Sequence, residues 1–226
     1  PKGIRLDRGD LAYLSKQARK MLDDAGYPDA IICASGDLDE YLITSLKNQG
    51  AKIDLWGVGT KLITSADMPA LGGVYKLSAL YPKEGGEIPK IKLSDNSDKI
   101  TNPAFKDVFR IYDNKTGKAE ADLIVVRGEE IDESKPLTVF HPKETWKKTT
   151  FTDYTVRPLT VKVMEKGRLV YKLPSLKEIS AYAEKEKESF WDEYKRLEKP
   201  HIFKVDLSQK LFDLKNSLLE ERHATK

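Results

Sequence analysis

Along the first sixty residues, short apolar runs alternate with stretches whose apolar positions recur every three to four residues. Gly3-Ile4-Arg5-Leu6 has the length of a short buried strand. From Asp10 the period changes: Leu11, Leu14, Ala18 and Leu22 fall on one face of a helix, and Gly26 is placed to end it. Residues 30–34 are again a continuous apolar run of strand length. A second helix is predicted from about Asp37, carrying Tyr41, Leu42, Ser45 and Leu46 and ending at Gly50; residues 53–56 form a third strand. Strand, helix, strand, helix, strand, with runs apolar enough to be covered on both faces, predicts a parallel sheet with right-handed crossovers.

Beyond Gly57 the pattern changes. Residues 73–80 and 88–93 read as strands around a polar turn at 82–86. Residues 108–112 and 121–126 flank a turn at 113–117, and 156–164 and 168–171 flank Lys166-Gly167. This alternation predicts an antiparallel β region. The tail reads as helical. Ser175 and Glu178 have capping-box spacing ahead of Leu176, Ile179, Ala183, Phe190, Tyr194 and Leu197, and Asp206 is expected to open a last helix striped by Leu207, Leu211, Leu214 and Leu218. The polar run Ser94-Asp95-Asn96-Ser97-Asp98 divides the chain into residues 1–98 and 99–226. The chain opens on Pro1 with a strand almost at once, the expectation for a piece of a longer polypeptide.

Composition narrows the function classes. Of 226 residues, 39% are hydrophobic and 33% charged, as in a globular protein with a sizeable core. Thirty-nine Lys and Arg against 36 Asp and Glu leave a formal charge of +3, too mild to predict a nucleic-acid partner. The single cysteine, Cys33, allows no internal disulfide and reads as an inert core residue of a strand. No apolar run approaches the roughly 20 residues of a membrane span, and a cytoplasmic location with no membrane partner is expected. In the charged run 184–188 one helix face is expected to be solvated, while Phe190, Trp191 and Tyr194 are expected to pack on the β region or on a second subunit.

In parallel α/β structures the ligand lies at the carboxyl ends of the strands. Three such ends carry polar, glycine-containing segments. Gly57-Val58-Gly59-Thr60, followed by Lys61, offers close backbone approach and a hydroxyl for a phosphate, or is a tight turn. Ser35-Gly36-Asp37 offers backbone N–H groups, or Ser35 or Asp37 caps the helix. Arg5 offers a bidentate partner for a carboxylate or phosphate, and Asp7 and Asp10 offer ligands for a hard cation or for ribose hydroxyls. Alternatively, Arg5 pairs with Asp7 while Asp10 caps the first helix. Three adjacent ends converging on one pocket predict a phosphorylated-sugar or nucleotide site.

The run Gly3-Ile4-Arg5-Leu6-Asp7-Arg8-Gly9-Asp10-Leu11 resembles a motif of nicotinate phosphoribosyltransferases. So does Trp56-Gly57-Val58-Gly59-Thr60-Lys61-Leu62-Ile63-Thr64, continuing through Pro69-Ala70-Leu71-Gly72-Gly73-Val74-Tyr75-Lys76-Leu77, and the similarity extends to Asp206-Leu207-Ser208-Gln209-Lys210-Leu211. The resemblance is to the C-terminal half of the longer bacterial form. It implies an α/β fold: residues 1–98 as part of a type II phosphoribosyltransferase irregular barrel, and 99–226 as a C-terminal extension, an antiparallel β region followed by two helices. It implies formation of nicotinate mononucleotide and pyrophosphate from nicotinate and phosphoribosyl pyrophosphate. That reaction is coupled to ATP hydrolysis, needs Mg²⁺, serves NAD salvage and is carried out by a homodimer.

Carried over residue by residue, Arg5 faces the nicotinate carboxylate. Ser35, Gly36, Gly57, Gly59 and Thr60 hold the phosphoribosyl end, and Asp7 holds ribose hydroxyls or the metal, with Asp10 a second candidate metal ligand. Arg8 stands where the family usually has Ser, and is expected at the pocket edge or in solvent. The family's catalytic histidine has no counterpart here. His141, His201 and His223 match no histidine motif and are expected at the surface. The chain is therefore expected to fold with an upstream half and to be inactive alone. The alternatives are a non-catalytic phosphate- or nucleotide-binding module and a type II relative acting on nicotinamide or quinolinate.

Overall fold

The computed structural model describes residues 2–96 and 99–224, with side chains as far as Glu221. The contact pattern separates two compact units between Val74 and Tyr75. The polar run marking the expected division at 98 lies partly outside the described residues.

The first unit is built as the sequence predicts. Strand β1 (Gly3–Leu6) pairs in parallel with β2 (Ile31–Ser35), and β2 with β3 (Leu55–Gly57). Helix α1 (Leu11–Asp24) joins the first two strands and α2 (Glu40–Asn48) the second two. Asp10 caps α1, its carboxylate accepting the Tyr13 N–H at 2.9 Å. Beyond the last turn of α1, Gly26 takes φ +83°, while its N–H and that of Tyr27 bond back to Asp23 and Leu22. Leu11, Ala12, Ala34, Leu38 and Leu46 form the buried core, with Leu6, Ile43 and Trp56 packed on it. Cys33 is half-buried rather than in the core.

Two local expectations are corrected. The N-cap of α2 is Asp39, which accepts the Leu42 N–H at 2.8 Å, and not Ser35 or Asp37. Leu38 is fully buried, so the chain turns through Asp37 at φ +47° to insert it before the helix can begin. Strand β3 starts at Leu55 because the Asp54 carboxylate, rather than a strand carbonyl, accepts the Ile32 N–H at 2.8 Å. A single helical turn, α3 (Thr60–Ile63), follows.

In the second unit the expected strands 73–80 and 88–93 shorten to β4 (Ala79–Leu80) and β5 (Ile88–Pro89). The main sheet contains β6 (Lys106–Asp113), β7 (Ala119–Val126), β8 (Leu137–Phe140), β9 (Lys148–Phe151) and β10 (Tyr154–Pro158). The hairpin of β11 (Met164–Glu165) and β12 (Arg168–Leu169) turns at Lys166 and Gly167, both at positive φ. Helix α4 (Leu176–Ser189) carries the expected Ser175–Glu178 capping box. It ends at Ser189, so Phe190, Tyr194 and Leu197 do not extend its stripe.

Strand β13 (Lys204–Leu207) returns to the middle of the sheet, giving the order β10-β6-β7-β13-β8-β9. Asp206 is therefore a buried strand residue, not a helix start. The Ser208 hydroxyl accepts the Leu211 N–H at the start of α5 (Gln209–Ala224). Ile111, Ala121, Leu123, Val125, Val139 and Tyr154 form the second core.

Helix α4 has no buried residue and docks through charge instead. Glu186, expected on the solvated face, accepts both terminal nitrogens of Arg157 at 2.7 and 2.6 Å. Arg110, bonded bidentately to Asp122, lies over the Phe190 ring. The expected packing of Phe190, Trp191 and Tyr194 on the β region takes this form, with the Trp191 indole N–H donating to Glu120.

Candidate functional site

The carboxyl ends of β1 and β2 bring Arg5, Asp7 and Ser35 into one hydrogen-bonded cluster. Parallel pairing sets Arg5 beside Cys33 and Leu6 beside Ala34, so the residues leaving the two strands emerge side by side. The Arg5 Nε donates to the Ser35 hydroxyl at 2.8 Å, and Ser35 donates to Asp7 Oδ1 at 2.5 Å. Arg5 Nη2 reaches the same carboxylate oxygen at 2.9 Å. Arg5 is paired with Asp7, and Asp10 caps the first helix.

The cluster is exposed, so its charges are screened by solvent. Within it, the Ser35 hydrogen bond and then Arg5 hold the Asp7 carboxyl below its ordinary value, while Asp7 raises the Arg5 guanidinium. Asp7 Oδ2 takes no hydrogen bond among the described residues and is free to accept from a ligand.

Asp7, Arg8, Gly9 and Asp10 from the first strand end, with Gly36 and Asp37 from the second, line a cleft of about 730 Å³. That volume suits a small phosphorylated ligand. Arg8, expected at the pocket edge or in solvent, is an exposed residue among those lining this cleft. Gly36 has φ +102°, and a Cβ there would run into the Asp7 carbonyl oxygen, so the two strand-end loops touch backbone to backbone at this residue.

Gly57 pairs with Ser35, and a Cβ on it would come within 3.3 Å of the Ser35 Cβ. Gly59 is open to solvent, and Thr60 begins α3 with its hydroxyl unbonded among the described residues. Lys61 stands 3.9 Å from Asp39 and lines a second, smaller cleft with Asp39, Glu40 and Asp67. The three ends are thus adjacent, with Arg5, Asp7 and Ser35 in direct contact and Gly57 beside them, but they do not share one cleft as expected: the first two line the larger, while Val58 and Lys61 of the third line the smaller.

No group of three His, Cys, Asp or Glu side chains suited to a metal is present among the described residues. Each of Asp7 and Asp10 has one oxygen committed, to Ser35 and Arg5 or to the helix cap, and one left over. One or two carboxylates plus ligand phosphates is the usual Mg²⁺ environment. The pair fits a supporting role rather than a complete cage.

His141 and His201 belong to the second unit and are not among the residues of this cluster. His141 accepts the Glu144 N–H at 2.9 Å and closes a turn after β8, half-buried, while His201 is exposed and rests against the Tyr194 ring. The side chain of His223 lies outside the described residues. No described helix is long and apolar enough to cross a membrane. The bridging role of Ser35 is invisible in sequence, because its partners lie 28 and 30 residues away.

A family model described as the nicotinate phosphoribosyltransferase C-terminal domain matches residues 105–215. The chain is 46% identical over 219 residues to nicotinate phosphoribosyltransferase of Bacillus subtilis, covering 97% of this chain and 44% of that protein. It is 35% identical over 231 residues to the enzyme of the same name from Dictyostelium discoideum, covering 96% of this chain and 38% of the relative. The chain thus spans less than half the length of these relatives. Its fold matches the crystal structure of human nicotinic acid phosphoribosyltransferase with a TM-score of 0.71 at 26% identity, over 96% of this chain and 40% of that one. A nicotinate-nucleotide pyrophosphorylase from Pyrococcus furiosus shares the fold with a TM-score of 0.52 at 21% identity, over 84% of this chain and 40% of that one. The chain belongs to the nicotinate phosphoribosyltransferase family.

Proposed function

We propose that this chain carries part of the substrate-holding site of a nicotinate phosphoribosyltransferase. The enzyme would join nicotinate to phosphoribosyl pyrophosphate with coupled ATP hydrolysis, releasing nicotinate mononucleotide and pyrophosphate for NAD salvage. The observation that carries the reading is the cluster of Arg5, Asp7 and Ser35 beside Gly36 and Gly57 at the carboxyl ends of three parallel strands. The sheet β1-β2-β3 is then a sector of a type II irregular barrel, residues 1–98 belong to it, and 99–226 are the C-terminal extension. Assembly as a cytoplasmic homodimer belongs to the same reading and rests on the family resemblance.

Displacement at the anomeric carbon develops positive charge on the sugar ring, as in glycoside cleavage. Catalysis then depends on positioning and on placing negative groups near that charge. Asp7, held ionised by Ser35 and Arg5, accepts from ribose hydroxyls through Oδ2 and lends its charge to the ring. Arg5 Nη1, uncommitted among the described residues, faces the nicotinate carboxylate. Backbone at Gly36, Gly57 and Gly59 approaches the phosphoribosyl phosphate, with Thr60 donating its hydroxyl. Asp7 and Asp10 are the residues that would hold a Mg²⁺ ion, which would supply positive charge for the pyrophosphate leaving group. The phosphorylated histidine is placed in the part of the relatives' length that this chain does not span.

The test is nicotinate mononucleotide formation with ATP, phosphoribosyl pyrophosphate and Mg²⁺. It is run on this chain and on a polypeptide of the relatives' full length. Activity in the longer polypeptide, lost in Arg5→Ala and reduced in Thr60→Ala, supports the reading. Activity in this chain alone overturns the placement of the histidine. Nucleotide binding without turnover in the longer polypeptide would favour a binding module.

A further inference from the structure

We propose that Ser35 is a positioning residue for Asp7: its hydroxyl acts on the substrate only through the orientation it imposes on that carboxylate. The inference deepens the proposed phosphoribosyltransferase site and rests on that reading.

The hydroxyl is used in both directions at once. It accepts from Arg5 Nε at 2.8 Å and donates to Asp7 Oδ1 at 2.5 Å. Arg5 Nη2 completes the triangle at 2.9 Å. A carboxylate gripped at one oxygen by two donors from different directions has a fixed plane, so its other oxygen is aimed rather than free to rotate. The grip comes from a second strand. Arg5 and Asp7 belong to the β1 end, and Arg5 alone, on its own flexible stem, would leave Asp7 free to swing with it. Ser35 sits at the last position of β2, where its backbone pairs with Gly57 of β3 and directly follows Ala34, the last residue of β2 paired to β1. Gly57 opposite it leaves room for the side chain. Only a hydroxyl can both accept from a guanidinium and donate to a carboxylate in so small a space, which specifies Ser or Thr at this position.

The experiment uses the full-length enzyme. Hydrogen bonds to charged groups carry enough free energy that losing one at a binding carboxylate weakens binding on the order of tenfold. The expectation for Ser35→Ala is therefore a KM for phosphoribosyl pyrophosphate raised roughly tenfold, with the KM for ATP unmoved and Ser35→Thr restoring most of the loss. In an Asp7→Ala background, Ser35→Ala adds nothing further, because the group it orients is gone. A merely structural role would add the same loss in both backgrounds, and that result overturns the proposal. So does a Ser35→Ala enzyme with unchanged KM, or a Ser35→Thr enzyme as impaired as Ser35→Ala. If Ser35→Ala does not fold, Ser35→Cys, which keeps the size of the side chain but only a weak donor and acceptor, is compared with wild type in both backgrounds with the same two outcomes. An inactive wild-type enzyme instead sinks the phosphoribosyltransferase reading itself, and direct titration of Asp7→Ala and wild type with nicotinate mononucleotide separates the two failures.

Discussion

Arg157 at the edge strand β10 and Glu186 in the last turn of α4 form a bidentate pair, with nitrogen–oxygen distances of 2.7 and 2.6 Å. This contact fastens a helix that buries no apolar side chain, while Leu176, Ile179 and Tyr182 on that helix stay exposed. Truncating the acid would leave Arg157 unpaired and weaken the Arg110 cluster. Arg157 is a third exposed, so the loss is moderated by solvent. Glu186→Ala is expected to cost about 1–3 kcal/mol, measured by denaturant unfolding.

The same pair sets a pH dependence. Arg157 holds the Glu186 carboxyl below its ordinary value of 4.5. A depressed folded value stabilises the protein when the group is ionised in both states. That contribution is present in full above the ordinary value and fades as pH falls through the depressed one. Wild type should therefore lose stability on acidification more steeply than Glu186→Ala, compared in urea melts between pH 6 and 3.

Gly36 and Gly26 separate two effects that usually travel together. Both have positive φ, +102° and +83°, but a Cβ at Gly36 meets the Asp7 carbonyl oxygen, whereas at Gly26 it meets nothing within 4 Å. Alanine at Gly26 is expected to cost about 1 kcal/mol of backbone strain. Alanine at Gly36 is expected to cost at least 1 kcal/mol more and to weaken nicotinate mononucleotide binding by displacing Asp7. Equal losses at the two sites would show that the loops do not touch as described.

The two aspartates ahead of α2 should respond in opposite directions. Asp39 is the cap, and Asp39→Ala is expected to destabilise by about 1 kcal/mol. Asp37 spends strain at φ +47°, so Asp37→Gly is expected to raise stability by a few tenths to about 1 kcal/mol. Thermal melts of the two variants check both signs.

Lys215 on α5 is buried with only neutral acceptors, Asn102 Oδ1 at 3.0 Å and the Pro142 carbonyl at 2.9 Å. Burial pushes its ammonium below the ordinary 10.5. Between the depressed value and the ordinary one the unfolded chain binds the extra proton, so stability rises with pH across that interval. In Lys215→Met this rise should be smaller than in wild type, read from chemical denaturation at alkaline pH.

The sequence by itself determined the first unit and the chemistry gathered at its strand ends. Continuous apolar runs at residues 30–34, the Asp10 cap and the Gly26 stop each carry a local physical signal, and the structure places strands and helices there to within a few residues. The second unit was legible where hairpins fold locally, as at 113–117 and Lys166-Gly167. Strand β13 was not legible, because the alternation of Lys-Val-Asp-Leu spans only four residues and Asp206 also reads as a helix start; the segment becomes a strand by pairing with β7, some eighty residues earlier, and with β8. Tertiary structure alone decided that Glu186 leaves the solvated face and that Asp39 rather than Asp37 caps α2. It also decided that Ser35 bridges Arg5 and Asp7. The physical reason is common to these cases: a period or a cap is a property of neighbouring residues. An ion pair between a strand and a helix, a strand slot or a shared hydroxyl exists only once segments far apart in the chain have been brought within hydrogen-bond distance.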